Sequence, residues 1–180
     1  MPSVTYEGKN PQSGVWEKIA ETILSTNPIQ FGFTNIPSGY KEFRLEIDVR
    51  SSTATACDLL LRFNGDTAAN YSRMGLYINN GNITNITATV SDSSIQFDQL
   101  VTKSSLSFGY AEVLISNFGA SQTKRVMSRF YFTSGTGAQD LWHYDKRGEW
   151  RNTSAEINSM TFTATQAFGA GSKFTLWGVR

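Results

Sequence analysis

An all-β fold, an antiparallel β-sandwich or barrel, is what this sequence predicts, and three observations carry the prediction. Short segments that alternate apolar and polar residues recur along the chain at fairly even spacing. Gly, Pro, Asn and Ser punctuate them, and no segment reads as a firm helix. Only 17% of the 180 residues are charged, below the usual share of about a quarter. Ser, Thr, Asn and Gln fill the gap, a skew that suits β-rich surfaces.

Taken in order, residues 1–14 hold Gly8, Asn10, Pro11, Ser13 and Gly14 and read as an extended N-terminal arm. Val15 to Leu24 is ambiguous. Val15, Ile19 and Ile23 fit a helical spacing, but the β character of everything downstream favours a strand. Ile29, Phe31 and Phe33 share one face of the next strand, and Pro37-Ser38-Gly39 turns the chain. Phe43, Leu45, Ile47 and Val49 then alternate against Arg44, Glu46, Asp48 and Arg50, the pattern of a strand with one buried and one wet face. Ser51 to Ala56 reads as a loop. Cys57, Leu59, Leu61 and Phe63 form a strand closed by Asn64-Gly65.

Tyr71 to Ile78 follows, ended by Asn79-Asn80-Gly81, and Ile83 to Val90 is a further strand. Leu106 to Ser116 and Lys124 to Thr133 flank Gly119 as a long hairpin. Leu141 to Tyr144, Ala155 to Thr165 and Lys173 to Val179 complete a set of about eight to ten strands. In the last of these, Phe174, Leu176 and Gly178 point one way and Thr175, Trp177 and Val179 the other. Both faces carry apolar groups, so this strand is expected to be covered on both sides. At this length the chain forms one domain, residues 15–180, behind its arm. No repeat of fixed period occurs, which excludes a propeller or solenoid.

Composition narrows the function classes. The formal net charge is +1, without a basic stripe, so no nucleic-acid partner is expected. No apolar run approaches a membrane span, and Met-Pro-Ser-Val-Thr-Tyr carries no basic region followed by an apolar one. A soluble protein made in a cytoplasm is the expectation, and the Asn-x-Ser/Thr triplets at Asn82, Asn85 and Asn152 read as ordinary turn and strand residues. Cys57 is the single cysteine and His143 the single histidine. An intramolecular disulfide and a Cys-based zinc site are thereby excluded, and no metal or cofactor is expected.

Candidate chemistry is sparse. Asp66, Asp92, Asp98, Glu112 and Glu149 are available carboxylates, but no spacing pairs two of them for glycosidic acid/base work. A serine triad would need His143, and no Gly-x-Ser-x-Gly elbow accompanies it. Asn64, Asp66 and Asn70 could offer oxygens to calcium, without the spacing of an EF-hand loop. The densest stretch is Asp140 to Asn152, with Trp142, His143, Tyr144, Asp145, Lys146, Arg147, Glu149, Trp150 and Arg151. Two readings stand. Its aromatics cover the end of the sandwich on a strand and hairpin, or they form a loop that anchors a partner or stacks a sugar.

Three blocks together resemble a known group. They are Phe31 to Ser51 (FGFTNIPSGYKEFRLEIDVRS), Leu59 to Ser72 (LLLRFNGDTAANYS), and a terminal block of Trp150, Thr153, Ile157, Phe162, Phe168, Gly171-Ser172, Phe174, Leu176 and Gly178. Phe63-Asn64-Gly65-Asp66 followed by Asn70-Tyr71 is the most telling piece. This combination resembles tailed-bacteriophage virion proteins with a jelly-roll-type domain, found as head decoration (cement) proteins and in tail or fibre components. The likeness runs from about Ile19 to Arg180 and brings no catalytic signature. It implies a jelly-roll sandwich without enzymatic activity, a homotrimer on the surface of a virion, and the major capsid protein or another virion protein as partner. The arm would dock or swap between subunits. Trp142, Tyr144, Arg147, Trp150 and Trp177 are the interface candidates. The alternative is a tail-fibre or receptor-binding module for a host-surface glycan or protein.

Overall fold

The computed structural model describes residues 14–53, 57–101, 108–116, 119, 121–133 and 141–180. The arm expected over residues 1–14, apart from Gly14, lies outside the described residues, as do Asp140 and the side chain of Asp98. Among the described residues the chain is all-β and contains no helix. The strands are β1 (Glu17–Ile23), β2 (Gln30–Phe33), β3 (Glu42–Val49), β4 (Cys57–Phe63), β5 (Tyr71–Asn79) and β6 (Asn82–Asp92). They continue as β7 (Ile95–Val101), β8 (Gly109–Ser116), β9 (Lys124–Thr133), β10 (Leu141–Trp150), β11 (Met160–Ala164) and β12 (Lys173–Val179).

Two antiparallel sheets form a sandwich. One has eight strands in the order β1-β12-β3-β8-β9-β10-β5-β6, the other four in the order β2-β11-β4-β7. Removing the hairpins β5-β6 and β9-β10 leaves a nested pattern. β1 pairs with β12, β2 with β11, β3 with β8 and β4 with β7. First meets last, second meets second-last, and successive pairs alternate between sheets, which is the jelly-roll topology. Both inserted hairpins extend the same sheet beyond β8, so the large sheet outgrows the small one.

Alternation decides which residues fill the sandwich. Phe43, Leu45, Ile47 and Val49 of β3, and Ala111, Val113 and Ile115 of β8, are buried while their neighbours face out. Phe174 of β12 is a hub, with ring centroids 4.8 Å from Phe31, 5.3 Å from Phe162 and 5.5 Å from Phe168. Burying each such ring stabilises the fold by about 1.5–3 kcal/mol. β12 lies between β1 and β3, as an interior strand. Its inner row ends at Gly178, where Tyr40 and Ile19 occupy the space a side chain would need. A Cβ there would stand 2.6 Å from Ile19 Cδ1 and closer still to the Tyr40 ring.

Three departures from the sequence reading concern local pattern. β7 was not foreseen, because Ile95 and Phe97 alternate for too few residues and its pairing with β4 slips between Cys57 and Leu59. β10 runs through Trp150 instead of stopping near Tyr144. Its polar second half sits inside a sheet because Lys146 is only 2% exposed and reaches the Gln96 carbonyl at 3.4 Å. Paired opposite it is Gly75, where a Cβ would lie 2.8 Å from Lys146 Cγ; the missing side chain makes room for the lysine stem. The strand expected over Ala155 to Thr165 shortens to Met160–Ala164, since Asn64 holds the preceding loop. The Asn64 side chain donates to the Glu156 carbonyl (2.7 Å) and accepts from the N–H groups of Asn158 and Ser159.

Candidate functional site

The sequence candidates divide between the two faces of the large sheet. On β10, Trp142, Tyr144, Lys146 and Trp150 point inward, whereas His143, Asp145, Arg147 and Glu149 point outward. Trp150 is fully enclosed, packed 5.4 Å from Phe63 with Tyr71 stacked on it at 6.4 Å. Tyr144 is 3% exposed, and Trp142 lies beside it among Tyr77 and Phe132. These placements correct the expectation that Tyr144 and Trp150 meet a partner: a strand of period two carries its even-numbered aromatics into the core. They cover the end of the sandwich.

The Asn64-Gly65-Asp66 turn supports that cluster. Asn64 and Gly65 take φ of 53° and 66°, a left-handed pair that Asn and Gly tolerate best. The turn delivers the Asp66 carboxylate to Trp150 Nε1–H (2.7 Å), Asn70 Nδ2–H (2.9 Å) and the Ala68 N–H (2.9 Å). Burial raises the Asp66 pKa, but these hydrogen bonds outweigh it and hold the carboxyl below its usual value. The Tyr71 hydroxyl oxygen accepts from the Phe63 N–H at 3.0 Å, and burial pushes its pKa up to about 12. Lys124, with Nζ 5.3 Å above the Trp150 ring and 3.1 Å from the Asn152 carbonyl, has its pKa lowered by burial against a smaller opposing pull from Glu156. The oxygens considered for calcium on Asn64 and Asp66 already serve protein donors. This constellation is structural.

The outward face is different. Register aligns Met74 of β5, Arg147 of β10, Met127 of β9, Leu114 of β8, Arg44 of β3, Trp177 of β12 and Lys18 of β1 in one continuous row. Two of the sequence candidates, Arg147 and Trp177, therefore share a row from opposite ends of the sheet. Met74, Met127 and Leu114 are 56%, 51% and 37% exposed, although apolar. A groove of about 610 Å³ opens over this row, lined by Met74, Val90, Leu114, Met127, Arg125 and Arg147 among others. It continues into a smaller hollow of about 140 Å³ bordered by Glu112, Arg129 and Asp145. The adjacent row holds Asp145, Arg129, Glu112 and Glu46, so charge of both signs flanks the apolar floor.

At the β12 end the face is more ordered. The Arg44 guanidinium lies 5.4 Å from the Trp16 ring centre and 5.5 Å from that of Trp177, and pairs with Glu46 at 3.2 Å. Trp177 Nε1–H donates to Glu46 at 3.0 Å. Trp177 is half-buried on the outside of the sheet, away from the sandwich core. Tyr110 and Tyr131 pair across β8 and β9 one row further on, and His143 packs on Tyr131 at 4.6 Å with a buried Nε2 that has no hydrogen-bond partner among the described residues. Burial, then the carboxylates of Glu46, Glu112 and Asp48, raise the Tyr110 pKa.

Sequence reasoning passed over Met74, Leu114 and Met127. The signal was present in β9, where Val126, Ser128, Phe130 and Phe132 point inward and Met127 stands in the opposite row between Arg125 and Arg129. Of the carboxylates named for acid/base work, Asp92 pairs with Arg73 at 3.4 Å and Glu149 accepts from Ser72 Oγ–H at 2.9 Å.

Comparison with known proteins adds little. No family model matches the chain, and no curated protein does. A solved chain described as "Structure of infectious bursal disease virus Gt strain" aligns with 99% of this chain at 12% identity and a TM-score of 0.09. This chain spans 45% of that one. A TM-score so low carries no argument about fold or function.

Proposed function

We propose that this chain is a non-enzymatic structural protein of a phage virion, a trimeric head decoration protein that binds and stabilises the capsid shell. The observation that supports it best is the exposed row of Met74, Arg147, Met127 and Leu114 on a sheet enlarged by two hairpins. Methionine and arginine are enriched where proteins meet, and contiguous exposed apolar surface marks interaction sites. The likeness of the three sequence blocks to phage virion proteins supplies the virion context. A jelly-roll core offers rigidity, so binding orders few groups and costs little entropy.

Antibody against the chain should label the heads of purified particles, and the isolated chain should sediment with capsids stripped of it. Its mass by light scattering should be that of a trimer. Labelling confined to tails, or no labelling, overturns the decoration role. A second reading is a tail-associated receptor-binding module, favoured by the groove of about 610 Å³ with Arg125 and Arg147 on its walls. For that reading, groove substitutions would reduce adsorption to host cells and leave capsid sedimentation intact.

A further inference from the structure

The large sheet ends in two edges of opposite design. β1 is short, carries Glu17, Lys18 and Glu21, slips register between Lys18 and Ala20, and holds a Lys18–Glu21 ion pair at 3.9 Å. Charge and bulges are the usual devices that stop an edge from pairing with another chain. β6 is 11 residues long and reads NITNITATVSD, without charge before Asp92 and without proline. Its first four residues are exposed, and Ile83 is 68% exposed. Two register shifts disturb β6 beyond Ile86, but Asn82 to Ile86 pair regularly with β5.

We propose that a second copy of this chain adds at this edge, β6 to β6 and antiparallel, about a twofold axis through Thr84. The hairpin turn fixes which backbone groups are available. Asn80 and Gly81 have φ of 48° and 79°, the two-residue turn that closes on a hydrogen-bonded pair, here Asn79 and Asn82. Alternation from that pair directs the N–H and C=O of Asn82 and Thr84 toward β5, and those of Ile83 and Asn85 outward. Centring an antiparallel partner on Thr84 sets Ile83 opposite Asn85 of the second copy, and Asn85 opposite Ile83 of the second copy. Every outward group then meets its complement.

Side chains agree with this register. Thr84 faces its own counterpart, a favourable cross-strand pair, and Ile83 comes diagonal to Ile83 of the second copy, covering apolar surface on both. No like charges are brought together between Asn82 and Ile86. So short a contact buries less than the roughly 1,200–2,000 Å² of a standard interface, so each pairing is weak and gains strength when oligomers present several copies. It doubles whatever oligomer the chain forms and stands apart from the capsid role.

Sedimentation equilibrium of the full chain tests it. The weight-average mass of the wild type should rise with concentration toward twice its dilute value. Thr84→Lys and Thr84→Glu should each hold the dilute mass, because like charges then face each other across the axis, and an equimolar mixture of the two should recover the doubling. Asn85→Pro, which removes an outward N–H without touching the β5 ladder, should abolish it as well, with unchanged circular dichroism. A wild-type mass independent of concentration, variants that associate like the wild type, or a mixture that fails to recover the doubling would each overturn the proposal.

Discussion

The two faces of β10 are built from one stretch of ten residues and serve opposite ends. Inward, Trp142, Tyr144 and Trp150 are packed among Phe63, Tyr71, Tyr77 and Phe132, and Lys146 lies against the Tyr144 ring. Outward, Arg147 continues a row with the exposed Met74 and Met127, which no second layer covers among the described residues. In an alternating strand, chemical richness does not identify the functional side; parity does. Here the aromatic residues are consumed by the core. Interaction potential rests with the few apolar side chains placed in the row that should be polar.

The largest effect expected from this contrast is on the inner face. Trp150→Ala removes a fully enclosed ring and should destabilise the protein by about 3–5 kcal/mol, read as a drop in the urea midpoint. A loss below about 1 kcal/mol would mean that the ring is not the support its burial indicates.

Asp66→Asn sharpens the same point through a polar group. The carboxylate accepts from Trp150, Asn70 and Ala68, and hydrogen bonds to a charged group contribute about 1.5–3 kcal/mol. Its folded pKa lies below the ordinary 3.8. The stabilisation is therefore complete above that ordinary value and is lost as pH falls through the lower folded one. Wild type and Asp66→Asn should differ most near neutrality and converge on acidification. Denaturation curves measured from pH 7 to pH 2 check this, and a gap that widens in acid would contradict the sign. Gly178→Ala should cost somewhat less, about 1–3 kcal/mol of overpacking against Tyr40 and Ile19, visible as a lowered Tm.

These positions also mark how far the sequence could be read. β3 was legible because it keeps strict alternation over its whole length, and the period of two in β12 placed its inward row (Phe174, Leu176, Gly178) directly, although Thr175 of the other row is buried as well. β10 was not, because a buried lysine and a glycine interrupt the apolar row. The space for Lys146 comes from Gly75 on another strand, and its hydrogen bond from Gln96 on a third. Local pattern cannot contain such long-range compensation. The same holds for Trp150, whose polar atom is satisfied by a turn more than eighty residues earlier in the chain. Arg147 and Trp177 were each named from sequence, but that they share a row needed the pairing of five strands.

The smallest effect on stability should come from the outer face, and it discriminates best. Met127 is half-exposed on the outward face, so Met127→Glu should change stability by no more than about 0.5 kcal/mol. The same substitution places a carboxylate on the apolar floor of the groove, next to Leu114 and Arg147 in register. If that floor meets a partner, desolvating the new charge should weaken binding by at least tenfold, because a buried unpaired charge is strongly unfavourable. Capsid sedimentation and host-cell adsorption, run with one preparation, separate the two readings. Loss of both folding and binding would place Met127 with the inner residues and erase the contrast between faces. Loss of neither would leave the row as ordinary surface. Loss of binding with an unchanged Tm is the outcome the geometry calls for, since only an outward side chain can be removed from an interface without disturbing the sandwich behind it.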